Sequence, residues 1–101
     1  MRRVIDGKAY DTRTADLLAV ASYRHKGDFR AWAEELYQTP GGRYFLAGHG
    51  GPLTSWVRKS NENVWYGGSG IRVLTEAEAL GWVGRWAPEE YKSIFGPAEE
   101  A

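Results

Sequence analysis

A chain of 101 residues with 13 basic and 13 acidic side chains can bury one core, but it is too short for a second fold or a large catalytic cleft. That balance gives no net-charge signature of a nucleic-acid, anionic-membrane or DNA-mimic role. Cysteine is absent, which excludes a disulfide framework, thiolate-ligated zinc and a thiol nucleophile, and fits a reducing compartment.

The charge is nevertheless divided along the chain. Residues 1–59 hold ten Lys/Arg against six Asp/Glu (+4), and residues 60–101 hold three against seven (−4). Such a division allows a two-signed surface, although separate solvated charges would give the same counts. The N-terminal run MRRVIDGKAYD has no apolar stretch of signal-peptide length behind it, and no segment approaches the length of a spanning helix. A soluble cytosolic protein is the expectation. Five Trp, six Tyr and three Phe can fill a small core and leave rings at the surface.

In chain order, Asp6-Gly7 between two short apolar stretches predicts a β-hairpin over Arg3 to Tyr10. Thr12 or Thr14 can cap a helix through Ala15 to Ser22, with Asp16 in its first turn and Leu17, Leu18, Val20 and Ala21 as its buried stripe. Arg24, His25 and Lys26 suit the carboxyl end of that helix, and Gly27 supplies its stop. Phe29 to Gln38 fits either a strand or a short helix leading into one, and strand is preferred for Glu35 to Gln38.

Thr39-Pro40-Gly41-Gly42 then predicts a turn into a strand from Arg43 to Ala47. The expected register sets Gln38 opposite Arg43, Tyr37 opposite Tyr44 and Leu36 opposite Phe45. One face would then hold Leu36, Phe45 and Ala47, and the other Tyr37, Tyr44 and Leu46. Gly48 to Pro52 is read as a loop, Ser60 to Asn63 as an exposed turn, Val64-Trp65-Tyr66 as a short strand and Gly67 to Gly70 as a flexible connection.

Ile71 to Leu74 forms a strand that enters a capping box, Thr75 to Glu78. The helix that follows presents Ala79, Trp82, Val83 and Trp86 on one face, suited to an aromatic sheet. Pro88 interrupts it, and a short helix over Glu89 to Phe95 stops at Gly96-Pro97.

No catalytic set emerges from these elements. His49-Gly50-Gly51 is similar to an esterase oxyanion loop, but Gly-x-Ser-x-Gly is missing, since residues 67–71 end in Ile71. The two histidines, His25 and His49, have no metal-ligand spacing, and no phosphate-binding glycine motif occurs. The acidic pairs at Glu34-Glu35, Glu76/Glu78, Glu89-Glu90 and Glu99-Glu100 read as solvated charge. The expectation is therefore no enzyme, no catalytic residue, no metal and no cofactor.

One resemblance is carried by IDGKAYDT at residues 5–12, Thr14-Ala15, Gly27-Asp28-Phe29, ELYQT at 35–39, GRYFL at 42–46, Gly48 to Gly51, and Ile71 with LTEAEALGW at 74–82. In this order they resemble a group of small bacterial and phage- or plasmid-borne proteins, over most of residues 4–86. The resemblance implies a mobile-element accessory protein. Phage-encoded proteins of this size include anti-CRISPR inhibitors, which act by stoichiometric binding to an effector.

The expected fold is thus α+β: a small antiparallel sheet built from hairpins, packed by helices at about 14–23 and 76–86 and a short C-terminal helix. It forms one domain over residues 1–96, with a flexible tail at 97–101. The expected function is binding of a protein target such as a CRISPR-Cas or other defence effector. His49, Trp56, Arg58, Trp65 and Tyr66 are the candidate contacts, because large rings and Arg in loops tend to anchor interfaces. The alternative is a nucleic-acid binder that uses Arg2, Arg3, Arg24, His25, Lys26, Arg58 and Lys59 beside exposed aromatics.

Overall fold

A computed structural model describes residues 1–25 and 27–101. Arg2–Ile5 (β1) and Lys8–Asp11 (β2) form the expected hairpin, with positive φ at both Asp6 and Gly7. Asp16–Tyr23 (β3), Trp32–Gln38 (β4), Tyr44–Gly50 (β5) and Gly68–Leu74 (β8) make an antiparallel sheet in the order β3-β4-β5-β8. Between β5 and β8, Arg58–Lys59 (β6) pairs with Trp65–Tyr66 (β7). Glu76–Trp86 (α1) crosses one face of the sheet, followed by a 3-10 turn, Pro88–Glu90, and a last helical turn, Tyr91–Phe95 (α2). The α+β class holds, with one main helix rather than two.

The helix expected over residues 14–23 is strand β3. No N-cap forms: Arg13 and Thr14 instead bend the chain around Asp11, whose carbonyl accepts from the backbone N–H of Thr14 and Ala15. That turn delivers Asp16–Tyr23 alongside β4, and the ladder of inter-strand bonds outweighs the local helix preference of LLAVAS. The intended apolar stripe is accordingly scattered. Leu18 and Ala21 are half-buried, but Leu17 and Val20 are 52% and 59% exposed, and the buried residue is Ala19, outside that stripe. Lys26, part of the expected helix end, lies outside the described residues.

The β4–β5 register differs by one residue from the expectation. Thr39 closes against Arg43, its N–H donating to the Arg43 carbonyl, so the loop has three residues and ends in Gly42 at φ 86°. A three-residue loop with a left-handed glycine is a standard hairpin closure, and it moves every partner by one. Leu36 therefore faces Leu46, and Tyr37 faces Phe45. Strand β5 continues through Gly48, His49 and Gly50, and β8 takes in Gly68 to Gly70, so neither glycine run is the loop that its composition implies.

Two cores result, one on each face. Ala19, Leu36 and Leu46 pack under Ala79, Trp82 and Val83 of α1, whose start carries the complete Thr75–Glu78 capping box. On the other face the β1–β2 hairpin lays Tyr10 against Tyr37, Phe45 and Ala47. Tyr37 and Phe45 are stacked at 5.2 Å between centroids, and Tyr10 meets Phe45 edge-on at 5.7 Å. Among the described residues no helix is long and apolar enough to cross a membrane.

The hairpin is anchored through Asp11, 7% exposed, whose carboxylate accepts from the Arg13 backbone N–H at 2.9 Å. That bond holds its pKa below the ordinary carboxylate value; burial opposes the shift, and the Arg13 guanidinium adds to it. Because the folded pKa is the lower one, Asp11 stabilises the fold above the unfolded pKa, and this contribution is lost as pH falls through the folded value. The urea midpoint of the wild type is expected to drop below about pH 4, and Asp11→Asn to flatten that part of the profile.

Candidate interaction surface

Glu34 sits mid-way along β4 on the helix-covered face, level with Gly48 of β5 and Gly70 of β8. The two glycines leave a floor without side chains, and the indole of Trp56 lies on it. A Cβ on Gly48 would stand 2.4 Å from the Trp56 ring, so only glycine admits this packing. Trp56 Nε1 donates to Glu34 Oε2 at 2.9 Å, and from the helix Trp82 Nε1 donates to Glu34 Oε1 at 2.8 Å. The Arg72 guanidinium lies 3.8 Å from the Trp56 ring centroid and donates to Ser55 through Nη1. One buried carboxylate thereby joins the sheet, the 51–57 loop and α1.

Trp56, expected as a contact, is 2% exposed and belongs to this core. A tryptophan on a glycine-rich sheet buries more apolar surface against backbone than it could at the surface, and its N–H finds an acceptor there. Arg58 is exposed but held, its Nη2 donating to the Ser69 carbonyl at 2.8 Å. Trp65 and Tyr66 are 58% and 49% exposed on β7. Their hairpin is fastened at its tip, where Ser60 N–H donates to the Val64 carbonyl and Ser60 Oγ accepts from the N–H groups of Glu62 and Val64. Lys59 Nζ lies 5.2 Å from the Trp65 ring centroid.

The end of the sheet marked by Trp32, Gly50 and Gly68 gathers further apolar rings. Leu53 N–H donates to the Phe29 carbonyl, tying together two loops whose Phe29 and Leu53 side chains are both exposed. Beside them Tyr23 stacks on Trp32 and Trp32 meets Trp86 edge-on at 4.8 Å, while Arg24 and Arg85 lie over the outer rings. Sequence reasoning missed this group because its members come from β3, β4 and α1. Only the neighbouring arginines in Tyr23-Arg24 and Arg85-Trp86 hinted at it.

His49 does not join the other four candidates. It projects from the opposite face of the sheet into an open cleft of about 810 Å³, next to Ser69 across the β5–β8 ladder and near Glu35. Among the described residues no hydrogen bond links His49 to Ser69 or to Glu35, whose Oε1 accepts instead from the Tyr37 hydroxyl. Burial and the neighbouring Glu35 raise the Tyr37 pKa.

Two substitutions probe the brace that supports this surface. Glu34→Gln leaves one acceptor for two indole N–H groups and is expected to lower unfolding free energy by about 1–3 kcal/mol in urea titrations. Gly48→Ala is expected to lose about 1–3 kcal/mol by overpacking and to expel the Trp56 ring, with a red shift of tryptophan emission. Comparisons with protein-family models, curated proteins and solved structures found no match for this chain.

Proposed function

We propose that this chain is a non-enzymatic binding protein that docks on a protein target through the loop end of its sheet. The observation that carries this reading is the pair Trp65 and Tyr66, both exposed on a short hairpin fastened at its tip and flanked by Lys59 and Arg58. Broad, amphipathic rings held on a fixed backbone lose little side-chain freedom on binding, and with Arg they supply most interface anchors. Phe29 and Leu53 extend the apolar part of the same end.

The target class follows from the resemblance to phage- and plasmid-borne accessory proteins. The target is a bacterial defence effector such as a CRISPR-Cas complex, and the chain acts as its stoichiometric inhibitor in the host cytoplasm. Tagged protein expressed with and without defence complexes is expected to retain one of them at fixed stoichiometry. Trp65→Ala and Tyr66→Ala are each expected to weaken the complex by about 2 kcal/mol without unfolding the chain. Recovery of no stoichiometric partner in either setting overturns the proposal.

A second reading, nucleic-acid binding, is favoured by one groove. Arg3, Arg58 and Arg72 line a recess of about 330 Å³ along the β8 edge, with no acidic residue among its lining. Two of the other basic residues are paired elsewhere: Arg2 with Asp11 and Arg24 with Asp28. Gel shifts decide between the readings. Retention of single-stranded DNA that falls steeply with salt and is lost in Arg3→Gln/Arg72→Gln supports the second, and no shift at micromolar protein removes it.

A further inference from the structure

Among the described residues, strand β3 ends the sheet on one side and pairs with β4 alone. Among the described residues no backbone hydrogen bond leaves Asp16–Tyr23 on the outer side, so alternate N–H and C=O groups there face solvent. The sequence DLLAVASY has none of the usual guards of a free edge: no Lys, no Pro and no Gly, with one charge, Asp16, at its start. A bulge between Leu17 and Ala19 disturbs the ladder only near that start, leaving Ala19 to Tyr23 regular. The opposite edge is treated differently, because on β8 the Ser69 carbonyl is occupied by Arg58 and Arg72 adds a charge.

The surroundings of the free edge specify what suits it. On the helix side, Glu89 and Glu90 of the 3-10 turn stand across a groove of about 300 Å³ from Leu17 to Val20. On the opposite side the exposed Leu17 and Val20 present aliphatic surface. Side chains of an added strand alternate between these two environments, one lined by Glu89 and Glu90 and the other by the aliphatic Leu17 and Val20, with Glu35 one strand further in on β4. A second copy of β3 fits poorly. Its only charge is another carboxylate, Asp16, and it would set Leu and Ala against Glu89 and Glu90.

We infer that β3 is a strand-addition site for an extended partner segment in which basic residues alternate with apolar ones. Main-chain hydrogen bonds to the free edge supply affinity, and the alternation of Glu89/Glu90 with Leu17/Val20 supplies selectivity. This inference rests on reading the chain as a protein-binding protein, but it concerns a surface other than Trp65 and Tyr66.

The test uses the full chain and short synthetic peptides: alternating Lys-Val, alternating Glu-Val, and a block peptide with all lysines before all valines. Amide hydrogen exchange, followed residue by residue, is expected to slow on the order of tenfold in β3 with the Lys-Val peptide only. Glu89→Gln/Glu90→Gln is expected to weaken that peptide by ~two- to fivefold. Val20→Lys, at an exposed position, is expected to abolish the protection without altering the fold. Equal binding of all three peptides, or no slowing in β3, overturns the inference. Protection of β3 without peptide, together with a dimer in sedimentation, overturns it in favour of a second copy. Trp65→Ala is expected to leave peptide protection unchanged, so failure here and failure of the loop-end reading are separately visible.

Discussion

The fold turns on a carboxylate that has given up water for two indoles. Glu34 accepts one N–H from Trp56 and one from Trp82, each on a separate oxygen. A buried carboxylate is tolerated only when such donors replace its hydration, and leaving either oxygen bare would carry the desolvation penalty of a charged group. The bonds join residues separated by 22 and 48 positions, so they form only when sheet, loop and helix are together. In this chain the node acts as a register pin. A one-residue slip of β4 would turn Glu34 to the other face and disconnect both tryptophans.

That constraint explains the glycine content of β5 and β8. A sheet whose central positions carry side chains has no room for a flat indole, whereas Gly48 and Gly70 give Trp56 a backbone floor. The same floor fixes the 51–57 segment, from which the β6–β7 hairpin is launched. Exposed Trp65 and Tyr66 are thus presented from a buried support, and a rigid support is what makes exposed rings useful as anchors. On the opposite face, the aromatic stack of Tyr10, Tyr37 and Phe45 is held under a hairpin fastened at Asp11.

The two edges of the sheet differ in a way that bears on what the molecule can meet. Along β8, arginine side chains occupy the margin and bond to main-chain and hydroxyl acceptors. Along β3, among the described residues, no side chain bonds the outer backbone, and the charges beside it are acidic: Asp16 at its start, Glu35 opposite Val20 on β4, and Glu89 and Glu90 of the 3-10 turn. Basic and acidic margins therefore lie on opposite sides of the sheet. The +4 and −4 halves of the sequence foreshadow this only coarsely, because Arg72 comes from the acidic half and β3 from the basic one.

Features set by neighbouring residues were legible in the sequence. Asp6-Gly7 dictates its hairpin turn, Thr75 and Glu78 dictate the helix start, and Ala79, Trp82 and Val83 lie buried on the helical spacing that predicts them. Features that depend on distant partners were not. LLAVAS becomes a strand only because β4 offers a ladder, and a three-residue loop rather than a four-residue one decides which rings meet across β4 and β5. Trp56 resembles a surface ring in sequence and is a core ring in the fold, because its acceptor lies 22 residues away and its floor is made of residues with no side chain to reveal it. Local backbone chemistry was sufficient to fix turns and caps. Burial, register and the unguarded edge were decided only in the tertiary structure, where the competing partners of each segment are brought within reach.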